Sequence, residues 1–207
     1  MKTVLFQGDS ITDAARNRDV DRFGGSGYAT MTAGKIAVDY PGKYQMLNRG
    51  ISGNRSTDLY ARIKCDVINL KPDIMTVLIG VNDVWHEITR QNGVSPDKYE
   101  RILSMFVQEV REELPEIQIV FLEPFVLEGT ATSENIDRFV EQVGLTALSC
   151  RRVAEAYDIP YVPLQQKLEE LAALSSNEYV LYDGVHPTYA GHELISRELY
   201  AALQKIL

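Results

Sequence analysis

Ile74-Met75-Thr76-Val77-Leu78-Ile79 is the stretch that decides the fold class. Its side chains are apolar almost throughout and lack the polar alternation of a strand with one face in water. Such a run is typical of a central parallel strand that is covered on both faces. Gly80-Val81-Asn82-Asp83 follows directly, so we expect a loop at the carboxyl end of this strand.

Strand-like and helix-like segments alternate along the rest of the chain, which indicates parallel βαβ units. Pro160 and Pro163 flank the last strand candidate and favour an edge position for it. The predicted strands are Thr3–Phe6, Gln45–Asn48, Ile74–Ile79, Ile117–Leu122 and Tyr161–Pro163. The predicted helices are about Tyr28–Tyr40, Ser56–Leu70, Pro96–Leu114, Glu134–Tyr157, Gln165–Leu174 and Thr188–Ile206.

The chain of 207 residues has a length that suits one domain with a full hydrophobic core. No linker, internal repeat or low-complexity tract interrupts it, so we expect a single doubly wound α/β domain over residues 1–207. No run approaches the roughly 18–20 apolar residues that span a bilayer.

Charge and cysteine content limit the partners and the compartment. The formal net charge of −8 disfavours nonspecific binding to nucleic acid or to an anionic membrane, and neutral substrates fit better. Cys65 and Cys150 have no metal-ligand spacing and are expected to be a reduced pair. The N-terminal segment reaches Asp9 too early for a signal peptide. These observations predict a cytoplasmic protein.

Three segments that can carry chemistry follow the first three predicted strands, and they contain Ser10, Gly53 and Asn82. In open α/β sheets the carboxyl ends of the strands share one rim, where ligands bind. If the strand order is 2-1-3-4-5, strand one lies between strands two and three. The three residues would then converge.

Ser10 and His186 are the candidate nucleophile and general base. A neutral imidazole can remove a hydroxyl proton near pH 7. Asp183 lies three residues before His186, close enough to accept a hydrogen bond from Nδ1 and to fix the tautomer. His86 and His192 do not have the spacing of a helical metal site with His186, so no metal is expected, and His192 is interpreted as a packing or capping residue.

Negative charge that develops on a substrate carbonyl oxygen needs hydrogen-bond donors. We expect three of them: the backbone N–H groups of Ser10 and Gly53 and the side-chain amide of Asn82. Gly53 lacks a Cβ, so a substrate can approach its backbone closely. Asp9 is interpreted as a residue that hydrogen bonds loop amides, with substrate binding as the alternative.

Together these residues resemble the SGNH hydrolases, also called the GDSL-type esterases. Four family blocks occur in family order: Gly8-Asp9-Ser10-Ile11-Thr12, Gly50-Ile51-Ser52-Gly53-Asn54, Gly80-Val81-Asn82-Asp83 and Asp183-Gly184-Val185-His186-Pro187. The resemblance covers essentially the whole chain. It implies a three-layer α/β/α flavodoxin-like sandwich with a five-stranded parallel sheet in the order 2-1-3-4-5. It also implies a Ser10, His186 and Asp183 triad, with Ser10, Gly53 and Asn82 in the oxyanion hole and no metal or cofactor.

A narrower likeness concerns the substrate. Trp85, just after Asn82, and the segment Val185-His186-Pro187 look similar to bacterial acetylxylan and acetyl-oligosaccharide esterases of this group. Trp85 is either a platform on which a sugar stacks or a residue that packs its loop against the following helix. The expected activity is therefore a serine esterase that forms an acyl-enzyme, with acetylated oligosaccharides such as acetylated xylo-oligosaccharides as the leading substrates.

Other interpretations stay open at this point. A lysophospholipase or thioesterase would need an apolar acyl groove, which a sequence does not display. A flavodoxin-like FMN-binding module would use Ser10 and Thr12 at a phosphate, but it assigns no role to Asn82 or His186. The long loop Thr12–Gly27, which carries Arg22 among other charged residues, is either a solvated loop, a cover of the site or a contact in a homo-oligomer.

Overall fold

The computed structural model describes residues 1–21 and 24–207, and within them one parallel sheet forms the centre of the molecule. Its strand order is 2-1-3-4-5, with every neighbouring pair parallel. The sheet confirms the predicted fold class and the predicted strand order. The strands are β1 (Lys2–Gly8), β2 (Tyr44–Asn48), β3 (Ile74–Leu78), β4 (Gln118–Leu122) and β5 (Tyr161–Val162).

The central strand β3 is buried along its whole length, as its apolar sequence predicts. Successive side chains of a strand point to opposite faces, so the sheet separates two hydrophobic cores. Phe6 and Leu78 belong to the core on one face, whereas Leu5 and Val77 belong to the core on the other. The strand β5 lies at the edge of the sheet, where its flanking prolines predict it.

Helices cover both faces and complete the three layers. They are α1 (Ser10–Asp13), α2 (Tyr28–Asp39), α3 (Ser56–Ala61), α4 (Ile63–Asp66), α5 (Val81–Arg90), α6 (Pro96–Glu113), α7 (Ile136–Ala156), α8 (Gln165–Ala173), α9 (Asn177–Val180) and α10 (Tyr189–Leu203). Short 3₁₀ turns occupy Ile68–Leu70 and Ser133–Asn135. In the described part of the chain, no helix is both long enough and apolar enough to cross a membrane.

The segment after β3 corrects one expectation, because it is the helix α5 instead of a loop. Val81 and Val84 are buried in the core, and Trp85 and Ile88 pack against it. These four positions have the i, i+3, i+4, i+7 spacing of an amphipathic helix. The signal was therefore present in the sequence, although it spans barely two turns.

The predicted helix Ser56–Leu70 is a second correction. The structure divides it into α3, α4 and a 3₁₀ turn. The first break falls at Arg62, whose backbone leaves helical geometry at φ −107° and ψ 13°. The guanidinium of Arg62 reaches back to carbonyl groups at the ends of β1 and β2, so the break coincides with a contact that holds the rim of the sheet together.

Candidate active site

Ser10, His186 and Asp183 form one hydrogen-bonded chain of side chains, although 176 residues separate the serine from the histidine. The distance from Ser10 Oγ to His186 Nε2 is 2.9 Å. On the other side of the ring, His186 Nδ1 lies 2.7 Å from Asp183 Oδ2. This geometry allows the imidazole to take the hydroxyl proton while the carboxylate stabilises the imidazolium that forms.

The second carboxylate oxygen of Asp183 fixes the local backbone. Asp183 Oδ1 accepts the N–H groups of Val185 and His186 at 2.9 and 2.7 Å. Burial alone would raise the pKa of Asp183, but the hydrogen bonds from His186 and Val185 lower it below its ordinary value. The same hydrogen bond to Asp183 raises the pKa of His186, against the opposing effect of desolvation. The pair therefore favours a charged carboxylate beside a basic imidazole.

Ser10 follows the carboxyl end of β1 and begins the short helix α1. Asp9 caps this helix, because its Oδ1 accepts the N–H of Ile11 at 3.0 Å. Its side chain is buried, and burial raises its pKa to about 7. The hydrogen bond from Ile11 supports the interpretation of Asp9 as a residue that holds loop amides, and the alternative role in substrate binding stays a prediction.

Gly53 lies in a tight turn that follows β2. The N–H of Asn54 donates to the carbonyl of Ile51 at 3.1 Å, and Gly53 between them has a φ of +80°. This left-handed value favours glycine. No atom lies within 4 Å of the place where a Cβ would stand, so the face of Gly53 is open to an approaching substrate.

Asn82 lies in the first turn of α5, and the helix orients its amide. Asn82 Nδ2 donates one hydrogen bond to the carbonyl of Asn54 at 3.2 Å, which leaves its second N–H for another acceptor. The N-terminal end of a helix carries partial positive charge, which favours an anion nearby. The structure thus links the turn of Gly53 to the amide of Asn82.

Asp83 and Ser56 form a buried contact that the sequence reasoning did not identify. Asp83 is inaccessible to solvent, and both of its oxygens accept the N–H of Ser56, at 3.1 and 3.0 Å. The hydroxyl of Ser56 also donates to Asp83 Oδ1. Desolvation raises the pKa of Asp83 to about 7, and the hydrogen bonds from Ser56 oppose that rise. The contact joins α3, just after the Gly53 turn, to the residue that follows Asn82.

Arg62 is a second connection that the sequence reasoning missed. Its guanidinium donates to the carbonyls of Gly8 and Arg49 at 3.0 and 2.8 Å, and to Asn54 Oδ1 at 2.7 Å. Asp66 accepts a further bond at 3.0 Å. A planar guanidinium has several donors in fixed directions, so one side chain can hold the end of β1 and the segment after β2 in register. Only the tertiary structure brings these acceptors to Arg62.

A cleft of about 790 Å³ opens at Ser10 and His186. Two stretches of chain contribute most of its wall: the segment after β1, and the segment that leads from α9 into α10. The lining includes Asp13, Ser26, Ser52, Tyr182, Thr188 and Tyr189. Ile11, Ala14, Ala15 and Pro187 line the cleft as well, so its wall combines polar, aromatic and apolar groups.

Trp85 contacts both the core and the site. Its ring meets Phe139 edge to face at 6.4 Å between centroids, and it lies 5.8 Å from the ring of His186. It is partly buried and packs against the hydrophobic core. The contact with Phe139 agrees with the packing interpretation, although Trp85 belongs to the helix α5 and not to a loop. The contact with His186 places the indole beside the candidate general base.

The structure also places His192 and the two cysteines. His192 caps α2, because its Nδ1 accepts the N–H of Tyr28 at 3.1 Å, and burial lowers its pKa to about 4. This confirms its interpretation as a capping residue. Cys65 is exposed and Cys150 is buried, and both are free thiols.

The predicted loop Thr12–Gly27 begins later than expected, since Thr12 and Asp13 belong to α1. Arg16 donates to the carbonyl of Gly50 at 2.8 Å, so the loop packs on the segment that follows β2. Arg22 lies outside the described residues. Within residues 1–21 and 24–207, no group of His, Cys, Asp and Glu side chains has the arrangement of a metal site.

Comparison with known proteins agrees with this geometry. The model of the GDSL-like lipase/acylhydrolase family matches residues 6–194. An acetylxylan esterase from Geobacillus stearothermophilus is 34% identical over 204 residues, which cover 94% of this chain and 90% of that protein. A solved structure of an acetylxylan esterase from the same organism superposes with a TM-score of 0.87 at 30% identity, covering 98% of this chain and 94% of the other.

A GDSL-like lipase from Parabacteroides merdae has the same fold as well. Its crystal structure gives a TM-score of 0.92 at 34% identity and covers 98% of this chain and 95% of that one. The sheet order, the four sequence blocks and these matches support one conclusion. The chain belongs to the GDSL-like lipase/acylhydrolase family and is a carboxylic ester hydrolase.

Proposed function

We propose that the protein is a serine esterase that removes acetyl groups from oligosaccharides through an acyl-enzyme, with acetylated xylo-oligosaccharides as the leading substrates. The observation that carries the proposal is the chain of contacts from Ser10 Oγ to His186 Nε2 and from His186 Nδ1 to Asp183. The similarity to acetylxylan esterases supports the choice of acetyl ester and of sugar.

In the first half of the proposed reaction, Ser10 Oγ attacks the acetyl carbonyl carbon and its proton passes to His186 Nε2. The carbonyl oxygen becomes an oxyanion, which accepts hydrogen bonds from the N–H groups of Ser10 and Gly53 and from the amide of Asn82. Asp183 stabilises the imidazolium. The C–O bond to the sugar then breaks, and the proton on His186 goes to the departing sugar oxygen.

In the second half, a water molecule gives its proton to His186 and attacks the acetyl group on Ser10. A second oxyanion forms and collapses, the bond to Ser10 Oγ breaks, and the imidazolium returns a proton to the serine. Acetate is released. The residues named here suffice for each proton transfer in this scheme.

The polar and aromatic residues in the lining of the cleft support the choice of a sugar ester. Asp13, Ser26 and Ser52 present polar atoms near Ser10, and Tyr182 and Tyr189 present aromatic rings with polar ends. Ligand sites position such polar groups to set orientation and specificity. A lysophospholipase or thioesterase would instead need an extended apolar groove for the acyl chain.

The test uses purified wild-type protein and the Ser10→Ala variant on 4-nitrophenyl acetate. We expect the variant to lose turnover, because the nucleophile is gone; retained turnover would contradict the assignment of Ser10. A profile over acyl-chain length then compares acetyl with medium-chain esters. A higher kcat/KM for the longer chains would favour the lysophospholipase or thioesterase alternative.

A further inference from the structure

Two exposed tyrosine rings, Tyr182 and Tyr189, line the cleft beside the candidate triad. Tyr182 is 55% exposed and Tyr189 is 83% exposed. The hydrogen-bonded side chains of His186 and Ser10 already account for the proposed proton transfers. Neither tyrosine ring has a role in those steps. Tyrosine combines an apolar face with a polar end, and this combination suits a ligand that also has apolar and hydroxyl-bearing surfaces.

Tyr182 is held at a fixed position relative to His186. The two rings are nearly parallel, with 15° between their planes and 5.6 Å between their centroids. The backbone N–H of Tyr182 donates to the carbonyl of His186 at 3.0 Å, and an antiparallel bridge pairs Leu181 with Pro187. One face of the phenol ring therefore covers the imidazole, and the exposed remainder points into the cleft.

Tyr189 lines the same cleft from the start of α10. It is the first residue of α10, next to Thr188, whose hydroxyl caps the helix by accepting the N–H of Ala190 at 3.2 Å. The cap fixes where the helix begins. Both rings belong to the lining of one cleft, and we call them the aromatic wall, defined by Tyr182 and Tyr189. Trp85, in contrast, is committed to the core through Phe139 and is not part of this wall.

The distance between Tyr182 and His186 limits which part of a substrate can contact this wall. The ester oxygen that His186 protonates must come within about 3 Å of Nε2. A sugar ring that rests on the outer face of Tyr182 is separated from the imidazole by the whole phenol ring, whose centroid is already 5.6 Å away. Such a sugar ring cannot be the one whose acetyl group is being removed.

We propose that Tyr182 and Tyr189 form a subsite for the sugar unit next to the acetylated one. This inference rests on the proposed function and adds a consequence to it. The enzyme distinguishes acetylated oligosaccharides from acetylated monosaccharides, because only the former occupy the aromatic wall.

The experiment measures kcat/KM for an acetylated xylotriose and for an acetylated methyl xyloside, and compares their ratio among variants. Wild type is expected to prefer the trisaccharide. Tyr182→Ala and Tyr189→Ala should each lower the ratio about tenfold, the order of one aromatic contact. Tyr182→Phe keeps the ring and should keep most of the preference. Because the ratio cancels effects on His186 itself, a general loss of activity in Tyr182→Ala does not obscure the result.

Tyr179→Ala is the matched control, since Tyr179 is 59% exposed on the neighbouring α9 but lies outside the cleft lining. Its ratio should equal that of wild type. An unchanged ratio in both Tyr182→Ala and Tyr189→Ala, or a wild type without preference, would overturn the subsite while leaving acetyl-sugar hydrolysis intact. Failure of wild type to hydrolyse either sugar, with normal turnover of 4-nitrophenyl acetate, would instead refute the proposed sugar substrate.

Discussion

Replacement of Ser56 by alanine tests whether the buried contact with Asp83 supports the oxyanion donors. Ser56 is 1% exposed and Asp83 is fully buried, so neither group is solvated by water. Ser56→Ala removes the hydroxyl donor and keeps the backbone N–H, which still reaches both carboxylate oxygens. Alanine is also acceptable in the first turn of α3.

The loss of stability in Ser56→Ala depends on whether Asp83 is charged. A hydrogen bond to a charged group contributes about 1.5–3 kcal/mol to stability, whereas one between neutral groups contributes about 1 kcal/mol. The Ser56 hydroxyl lowers the pKa of Asp83, which burial raises to about 7. The hydroxyl therefore stabilises the ionised form, and its contribution is largest above pH 7 and decreases as the pH falls and Asp83 takes up a proton.

The assay is urea unfolding of wild type and Ser56→Ala at about pH 8.5 and about pH 5.5, with the free energy of unfolding obtained by linear extrapolation. We expect a loss of about 2–3 kcal/mol at the higher pH and about 1 kcal/mol at the lower one. In parallel, kcat for 4-nitrophenyl acetate should fall more than KM changes, because the turn of Gly53 and the amide of Asn82 are held through this contact.

Thr76→Val is the matched control. Thr76 is also fully buried, but its hydroxyl has no hydrogen-bond partner among the described residues. Its removal should cost little stability and should show no dependence on pH. A loss in Ser56→Ala that is independent of pH would refute the argument that the hydroxyl stabilises ionised Asp83. A kcat equal to that of wild type would refute the link between this contact and the oxyanion donors.

Four further outcomes are expected. Asn82→Ala should lower kcat by roughly 10²–10³-fold, the usual effect of one oxyanion donor, and a change confined to KM would indicate a binding residue instead. Because Asp183 raises the pKa of His186 above 6.5, kcat/KM of wild type should fall as the pH decreases through that raised value and the imidazole becomes protonated. Asp183→Asn should move this acidic side of the pH profile to lower pH and reduce kcat by roughly 10⁴-fold. A profile that does not move would show that Asp183 does not raise the pKa of His186. Gly53→Ala should destabilise the fold by about 1–2 kcal/mol, because a φ of +80° strains any residue with a Cβ.

Much of the fold could be predicted from local patterns. The continuous apolar run of β3 indicates a strand covered on both faces, and the prolines beside β5 indicate an edge, because these features depend on the residues themselves. The helix bounds were less accurate where tertiary contacts override local preference. Arg62 interrupts a predicted helix while its guanidinium binds carbonyls that are distant in sequence.

Parts of the candidate site were likewise predictable from the sequence, and other parts were not. The rule that strand ends share a rim predicted that Ser10, Gly53 and Asn82 come together, and the structure shows one part of this, the hydrogen bond from Asn82 to Asn54 next to Gly53. The motif of Asp183 and His186 predicted their contact, which the structure confirms. The buried contact of Asp83 with Ser56 was not predictable, because Asp83 has the same appearance in sequence as a solvated carboxylate. Its hydrogen bonds come from Ser56, which is 27 residues earlier in the chain and reaches Asp83 only in the folded protein.

By itself, the sequence determined which residues are candidates for the chemistry and which faces of the strands are apolar, because residue type and periodicity are local properties of the chain. Only the tertiary structure decided the distances between those residues, the raised pKa values of the buried carboxylates, and the position of Tyr182 against His186. The physical reason is that hydrogen bonding and desolvation depend on the atoms that surround a group. Folding brings most of those atoms from distant parts of the chain.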